Sequence, residues 1–421
     1  MARVSDGRVL SHVRIGLYVA VPSVFEDKPI QGSWFAKCKS AFVRLIDTVN
    51  WHLFRRAAIH YHHWDTRYGS NKGDAAIRES TKDTLRAALA PIALEFEEFE
   101  WGQLAGVSGD RISDRWDAFV VGGSGYVTSD EYGNVSPRMD SDLPALKLMN
   151  CEKILFGVGW NTLLAEGGKI EPLSSDASSL VKRTHAEFGL CSVRDSATKL
   201  LFDNLSDTSA FLMGDPALFW YPKARYLSLP KSPDVLRVGL NFALHGSIGA
   251  ARFEKMFDTY CVLLGEIQRR HRVEFHHVRH SYAERLVPSI FRSRGIRITG
   301  HNPRPDQLID LYSQLDLHIC EMMHSSILSM AAGTPAINLA YDIKNVGFYD
   351  LMQLPQFCHP IWGLDHGAFL SSVDEAIADR NSFSKNILLR KQELQGVQEI
   401  FMRDVRNRLA PRPCKFLKEL Y

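Results

Sequence analysis

Short apolar runs alternate with longer stretches of helical period along most of the chain. Residues 15–21, 118–121, 153–158, 191–193 and 211–213 read as strands, and 74–90 as a helix. The alternation resumes with strands at 235–240, 273–278, 296–298, 315–320 and 336–340, and helices at 250–269, 283–294, 305–314 and 325–332. Runs so poor in polar residues suit strands buried on both faces, so mostly parallel sheets covered by helices are expected. Pro222, Pro230 and Pro233, set among charges, mark the join between two units. The pattern therefore predicts an α/β chain of two doubly wound, Rossmann-like domains, 1–225 and 226–421, facing a cleft. Residues 25–70 form an unusually long connection with a helix expected around 34–60, long enough for a lid or an acceptor-binding insertion. Residues 384–408 have helical period and run into a basic stretch with Arg406, Arg408, Arg412, Lys415 and Lys418.

Composition narrows the partners. At 421 residues and 45% hydrophobic the chain can bury full cores. Lys and Arg number 50 against 48 Asp and Glu, a net charge of +2, so no global bias toward nucleic acid exists and none is expected as a partner. Seven cysteines without a Cys-x-x-Cys pair argue against a disulfide framework and for a reducing, cytoplasmic setting. Arg3, Arg8 and Arg14 precede the apolar run 15–21, but Pro22 follows, which fits a first strand rather than a signal peptide. No window approaches the roughly 18–20 apolar residues of a membrane span. The basic C-terminal stretch suits either docking at the inner face of an anionic membrane or an interdomain strut.

Candidate chemistry concentrates at strand ends, where open α/β sheets bind ligands. Met322, Met323 and His324 lie between the strand at 315–320 and the helix carrying Ser325 and Ser326. Gly333, Thr334 and Pro335 then turn the chain into a second strand that ends at Tyr341, Asp342 and Lys344. A histidine at a helix N-terminus meets the positive end of the macrodipole, an effect of about 0.3–1 kcal/mol favouring neutral imidazole and nearby anions. Asn71, Lys72, Gly73 and Asp74 open a helix, with Asp74 a possible cap, and form either an anion cradle or an ordinary capped start. Gly122, Gly123, Ser124 and Gly125 follow a strand but lack the spacing of a P-loop or a dinucleotide fingerprint. Gly157 to Asn161 closes another strand. Arg194 tips a third, as an anion ligand or as an ion-pair partner of Asp195; Asp215 reads as structural. His60, His62 and His63 beside Asp65 lack a metal-ligand spacing, so no metal is expected, and an acceptor groove suits them better. His276, His277, Arg279 and His280 follow a strand and either face the cleft or sit in a solvated loop. The carboxylates between 95 and 100 read as a solvated charged face.

Taken in order, these motifs resemble the polysaccharide pyruvyl transferase family. The resemblance runs from Asn71 to Tyr349 through Asn-Lys-Gly-Asp, Gly-Gly-Ser-Gly, Gly-Val-Gly-Trp-Asn, Ser-Val-Arg-Asp, Gly-Asp-Pro-Ala and the stretch from Met322 to Lys344. It implies a GT-B-type fold with the acceptor on the N-terminal side and the donor on the C-terminal side. It also implies transfer of the enolpyruvyl unit of phosphoenolpyruvate onto a sugar of a cell-surface polysaccharide, or its lipid-linked precursor, as a ketal. No cofactor is implied. On this resemblance His324 is the proton donor and Arg194 holds the donor's carboxylate or phosphate. Lys344, Ser325, Ser326, Arg279 and Met322 fall on the donor side, while Asn71, Lys72, Gly73, Asp74, Gly123, Ser124 and Asn161 face acceptor or anion. One departure stands out: the family's Arg-x-His is Met322-Met323-His324 here. A thioether cannot replace a guanidinium on phosphate, a loss of about 1.5–3 kcal/mol, unless Arg279, Lys72 or Arg237 compensates. A GT-B-type glycosyltransferase using a nucleotide sugar, or a sugar-binding scaffold without catalysis, also fits these residues.

Overall fold

The computed structural model describes residues 2–3, 9–10, 12–20, 71–107, 112, 114–165, 168–205, 209–230, 232, 234–244 and 246–409. The connection at 25–70 with its expected helix, the His60 to Asp65 cluster, and the tail residues Arg412, Lys415 and Lys418 lie outside the described residues.

The first half is a parallel sheet of β1 (His12–Val19), β2 (Ala93–Glu100), β3 (Ala118–Gly122), β4 (Glu152–Val158), β5 (Leu190–Val193) and β6 (Phe211–Leu212), in the order β6-β5-β4-β3-β1-β2. Period-two alternation splits its core between the two faces. Tyr18, Phe119, Val121 and Leu155 pack on one, and Ile15, Leu17, Val120 and Phe156 on the other. The second half is a parallel sheet of β7 (Leu236–Asn241), β8 (Val273–Val278), β9 (Ile298–His301), β10 (Leu317–Cys320), β11 (Ala336–Ala340) and β12 (Cys358–Pro360). Its order, β9-β8-β7-β10-β11-β12, is the Rossmann order, and the direction of winding reverses between β7 and β10.

Helices cover both sheets: α1 (Lys72–Leu89), α2 (Pro137–Leu148), α3 (Ser175–His185) and α4 (Ser196–Leu205) in the first half, then α5 (Gly246–Arg270), α6 (Val287–Arg292), α7 (Leu308–Tyr312), α8 (Met323–Ala331), α9 (Ile343–Leu351), α10 (His366–Ala378) and α11 (Arg380–Leu409). The two α/β halves pack against each other, and the contact is partly apolar. Ala76 and Ile77 of α1, with Ala217, Leu218 and Trp220, join the core of the second half.

Several elements differ from the expectation. The acidic stretch 95–100 is not a solvated face but the edge strand β2. Phe99 is buried, and Glu97 and Glu98 are paired by Arg115 and Lys82. The expected helix 283–294 breaks into a 3-10 turn, Tyr282–Leu286, and α6, with Pro288 in the first turn of α6 where its missing N–H costs nothing. The stretch 305–314 likewise divides into a 3-10 turn, Pro305–Gln307, and α7. The last helix acts as a strut. Phe383, Ile387 and Leu394 belong to the second core, whereas Phe401, Met402 and Val405 complete the first, and Arg408 pairs with Glu152. Among the described residues no helix is long and apolar enough to cross a membrane.

Candidate functional site

Two helix starts meet where the halves face each other. Chain leaving β10 at the winding reversal enters α8, whose first turn carries His324; opposite it stands the first turn of α1. Asn71, not Asp74, caps α1, accepting the Gly73 N–H at 3.0 Å. The two helices touch so closely that a Cβ on Gly73 would lie 2.4 Å from the His324 Cβ. His324 Nε2 stands 3.8 Å from Asp74 Oδ1, and its Nδ1 is 3.5 Å from Asn71 Nδ2. Asp74 in turn accepts the Ser124 hydroxyl at 2.9 Å.

Cations converge on the same place. Arg194 is the largest fully buried side chain, 1% exposed; it gives Nη2 to Asn161 Oδ1 at 3.0 Å and stands 3.6–3.7 Å from Asp195 and Asp215. Gly159 is the floor that admits it, since a Cβ there would meet Arg194 Nε at 2.2 Å. Lys344 holds Asp342 at 3.1 Å and lies 5.5 Å over the Tyr341 ring. That segment is tied to the first half by Leu164 N–H to Tyr341 O and Ile343 N–H to Thr162 O, both 3.0 Å.

Burial, then the charges of Arg194, Lys344 and His280, hold the His324 imidazole well below its usual range. Burial also raises the Asp74 carboxyl, against the Ser124 hydrogen bond and the pull of Arg194 and Lys344. Asp215 is pushed up to about 6 by burial, with Arg194 opposing. Burial disfavours the Lys344 ammonium, but Asp342 and Tyr341 outweigh it and its pKa ends above the usual lysine value. The centre thus offers a neutral imidazole beside a carboxyl of raised pKa, with two cations next to them. Such a set can shuttle protons and balance an anion.

Other expected site residues face elsewhere. Ser325 is fully buried between the Tyr312 hydroxyl at 2.6 Å and His318 Nε2 at 2.7 Å. Ser326 is equally buried against Cys320, Asn338 and Tyr349. Both hold α8 to the core and point away from the cleft. Gly123 gives its N–H to Phe156 O at 2.7 Å and presses on Ile77, so its freedom serves packing of the loop on α1 and not an anion. Nor is the start of α1 an open cradle: Lys72 N–H goes to His280 O, Gly73 N–H to Asn71 and Ala75 N–H to Asn71 O. The Lys72 ammonium clamps the halves together through Arg279 O at 3.1 Å and Asn302 Oδ1 at 2.6 Å. Arg237 sits near the start of β7 beside Asp316, at the opposite end of the sheet from His324. His276, His277 and His280 are buried; His276 is bonded to His301 and His280 to Tyr312, and His277 Nε2 stands 3.4 Å from Glu284. Sequence reasoning missed a buried group beside Met322, in which Glu321 takes Arg252 at 3.2 Å and the Tyr260 hydroxyl at 2.6 Å. No spacing signals it, because its members come from different elements.

The sequence pattern of the polysaccharide pyruvyl transferase family matches residues 71–343, from the cap of α1 to the first residue of α9, and so takes in Asp74, Arg194 and His324 and stops one residue short of Lys344. The chain belongs to the polysaccharide pyruvyl transferase family. It is therefore a transferase with a polysaccharide acceptor. No curated protein matches it. Among solved structures it is similar to a Listeria monocytogenes protein described as a UDP-N-acetylglucosamine 2-epimerase (11% identity, 76% of this chain and 89% of that one, TM-score 0.48). It is also similar to S. aureus MnaA with UDP (8%, 90% and 91%, 0.45) and to the spinosyn rhamnosyltransferase SpnG (12%, 94% and 100%, 0.45). These are likenesses of fold alone. Met322, where the resemblance leads one to expect arginine, is 4% exposed and precedes α8 with no side-chain cap.

Proposed function

We propose that the centre around His324 transfers the enolpyruvyl unit of phosphoenolpyruvate to two hydroxyls of one sugar, forming a pyruvyl ketal and releasing phosphate. The convergence of His324, Asp74, Arg194 and Lys344 from both halves supports this reading. The methylene carbon of the donor takes a proton from His324, leaving positive charge on the adjacent carbon. The sugar oxygens add there as the phosphate oxygen departs. Of the two hydroxyl protons, one replaces that lost by His324 and the other leaves with phosphate, with Asp74 as the base that relays them. Lys344 faces the donor's carboxylate or phosphate, and Arg194 supplies positive potential from beneath through a site kept poor in water. The acceptor is a cell-surface polysaccharide or its lipid-linked precursor, met in the cytoplasm at or near the inner membrane face.

Met322 favours a second reading, a nucleotide-sugar glycosyltransferase on the same architecture, because the side chain where the family carries arginine cannot hold phosphate. Acceptor mass after incubation with either donor separates the two. A ketal adds the pyruvyl mass without lengthening the glycan, while glycosyl transfer adds a sugar. His324→Ala is expected to cut transfer by at least about a hundredfold, the lower range for a lost general acid. Full activity in that variant removes the role given to His324.

A further inference from the structure

A cavity of about 480 Å3 opens between α5 and the segment that follows β12, apart from the His324 centre. Lys255, Met256 and Thr259 line it from α5, and Ile361, Trp362 and His366 from the other side. Its floor is apolar, with Met256 and Ile361 buried. The half-buried Trp362 indole forms a wall, with the exposed Lys255 ammonium 4.5 Å over the ring, and the Thr259 hydroxyl and exposed His366 stand at the rim. A flat apolar surface ringed by a few donors matches a pyranose, which is apolar across its C–H face and polar along its edge.

The walls of the cavity are linked to the reaction centre through the segment around Tyr341. Ile361 N–H bonds Ala340 O at 2.9 Å, one residue before Tyr341. Arg252, a turn ahead of Met256 on α5, stacks 3.9 Å from the Tyr341 ring, and the Lys344 ammonium lies over that same ring. Gly168 of the first half lies against Pro360, so the cavity stands at the margin where the two halves approach. A polymer with one sugar at His324 and further sugars laid along that margin would reach the cavity.

We propose that this cavity is a subsite for a pyranose of the acceptor glycan remote from the ring that receives the pyruvyl group, with Trp362 as its stacking platform and Lys255 as its hydrogen-bond donor. The inference rests on the transferase reading above, and it predicts recognition of an oligosaccharide in preference to a single sugar.

The probes are an array of surface-polysaccharide fragments from mono- to hexasaccharide, and UDP followed by calorimetry. Wild type and His324→Ala are expected to bind the same longer fragments and not the monosaccharides. Trp362→Ala and Lys255→Ala should weaken that binding tenfold or more, while Trp362→Phe, which keeps a ring and guards against misfolding, retains most of it. Absence of any oligosaccharide binding, or equal binding by Trp362→Ala that melts like wild type, overturns the subsite. So does UDP binding that depends on Trp362, which makes the cavity a nucleotide pocket. If Trp362-dependent glycan binding holds but phosphoenolpyruvate yields no ketal on that glycan, the transfer reading fails and the subsite stands. Ketal formation indifferent to Trp362 and to glycan length gives the converse.

Discussion

His324 occupies a place where burial and two cations oppose its protonation, yet the proposed chemistry needs a proton from it. The conflict resolves when an anionic donor binds. Negative charge beside Arg194 and Lys344 offsets the repulsion they exert, and the imidazole becomes basic enough to carry a proton. The sign of the pH dependence follows. A group that must be protonated loses activity as pH rises through its pKa, and that pKa is lower in the free protein than in the donor complex. The alkaline fall of kcat/KM, which reports the free enzyme, is therefore expected at lower pH than the fall of kcat, which reports the complex. Steady-state rates across pH check this, and coincident limbs count against donor-assisted protonation. Met322 brings no charge. With Ser325 and Ser326 turned into the core, the proposed site leaves Lys344 as the side chain of this segment that faces the donor's charge, so Lys344→Ala is expected to raise KM for the donor.

At the scale of elements, the site is two helix N-termini brought face to face. Gly73 is the contact that lets them approach. Gly73→Ala should favour α1 itself by about 1 kcal/mol, since alanine is the better helix former, but its methyl would lie within 2.4–2.6 Å of the His324 side chain. Because overpacking a tight contact costs about 1–3 kcal/mol, the expected outcome is a kcat reduced more than tenfold together with a lowered melting temperature, measured by transfer assay and thermal melt. Both helix starts were legible in the sequence, because Asn71 before α1 and the polar switch after the strand at 315–320 are local signals. Their meeting was not, since His324 and Asp74 lie far apart along the chain and no periodicity couples them. Ser325 and Ser326 were misassigned for a related reason. Near a helix start a hydroxyl can face cleft or core, and only the positions of Tyr312, His318, Asn338 and Tyr349 decide which. The acidic edge strand β2 was obscured by its charges, which on an exposed edge discourage further strand pairing.

Over the whole molecule the two halves share more than a cleft. α1 lends Ala76 and Ile77 to the second core, Lys72 bonds the segment between β8 and α6, and α11 returns Phe401, Met402 and Val405 to the first. Phe401 is fully buried, stacked 5.8 Å from Phe156 and edge-on to Phe211 at 5.4 Å. Phe401→Ala should cost about 3–5 kcal/mol, typical of a buried phenylalanine, and lower the urea midpoint of the first sheet even though the residue lies far along the chain from it. A midpoint unchanged for that half would show α11 to be dispensable there. The strut also has a bearing on how the protein is made. Domains commonly fold in order of synthesis, the N-terminal one first as it leaves the ribosome. Here the earliest sheet lacks three of its own core side chains until residue 405 has emerged, so its completion is deferred until nearly all of the second half has been translated.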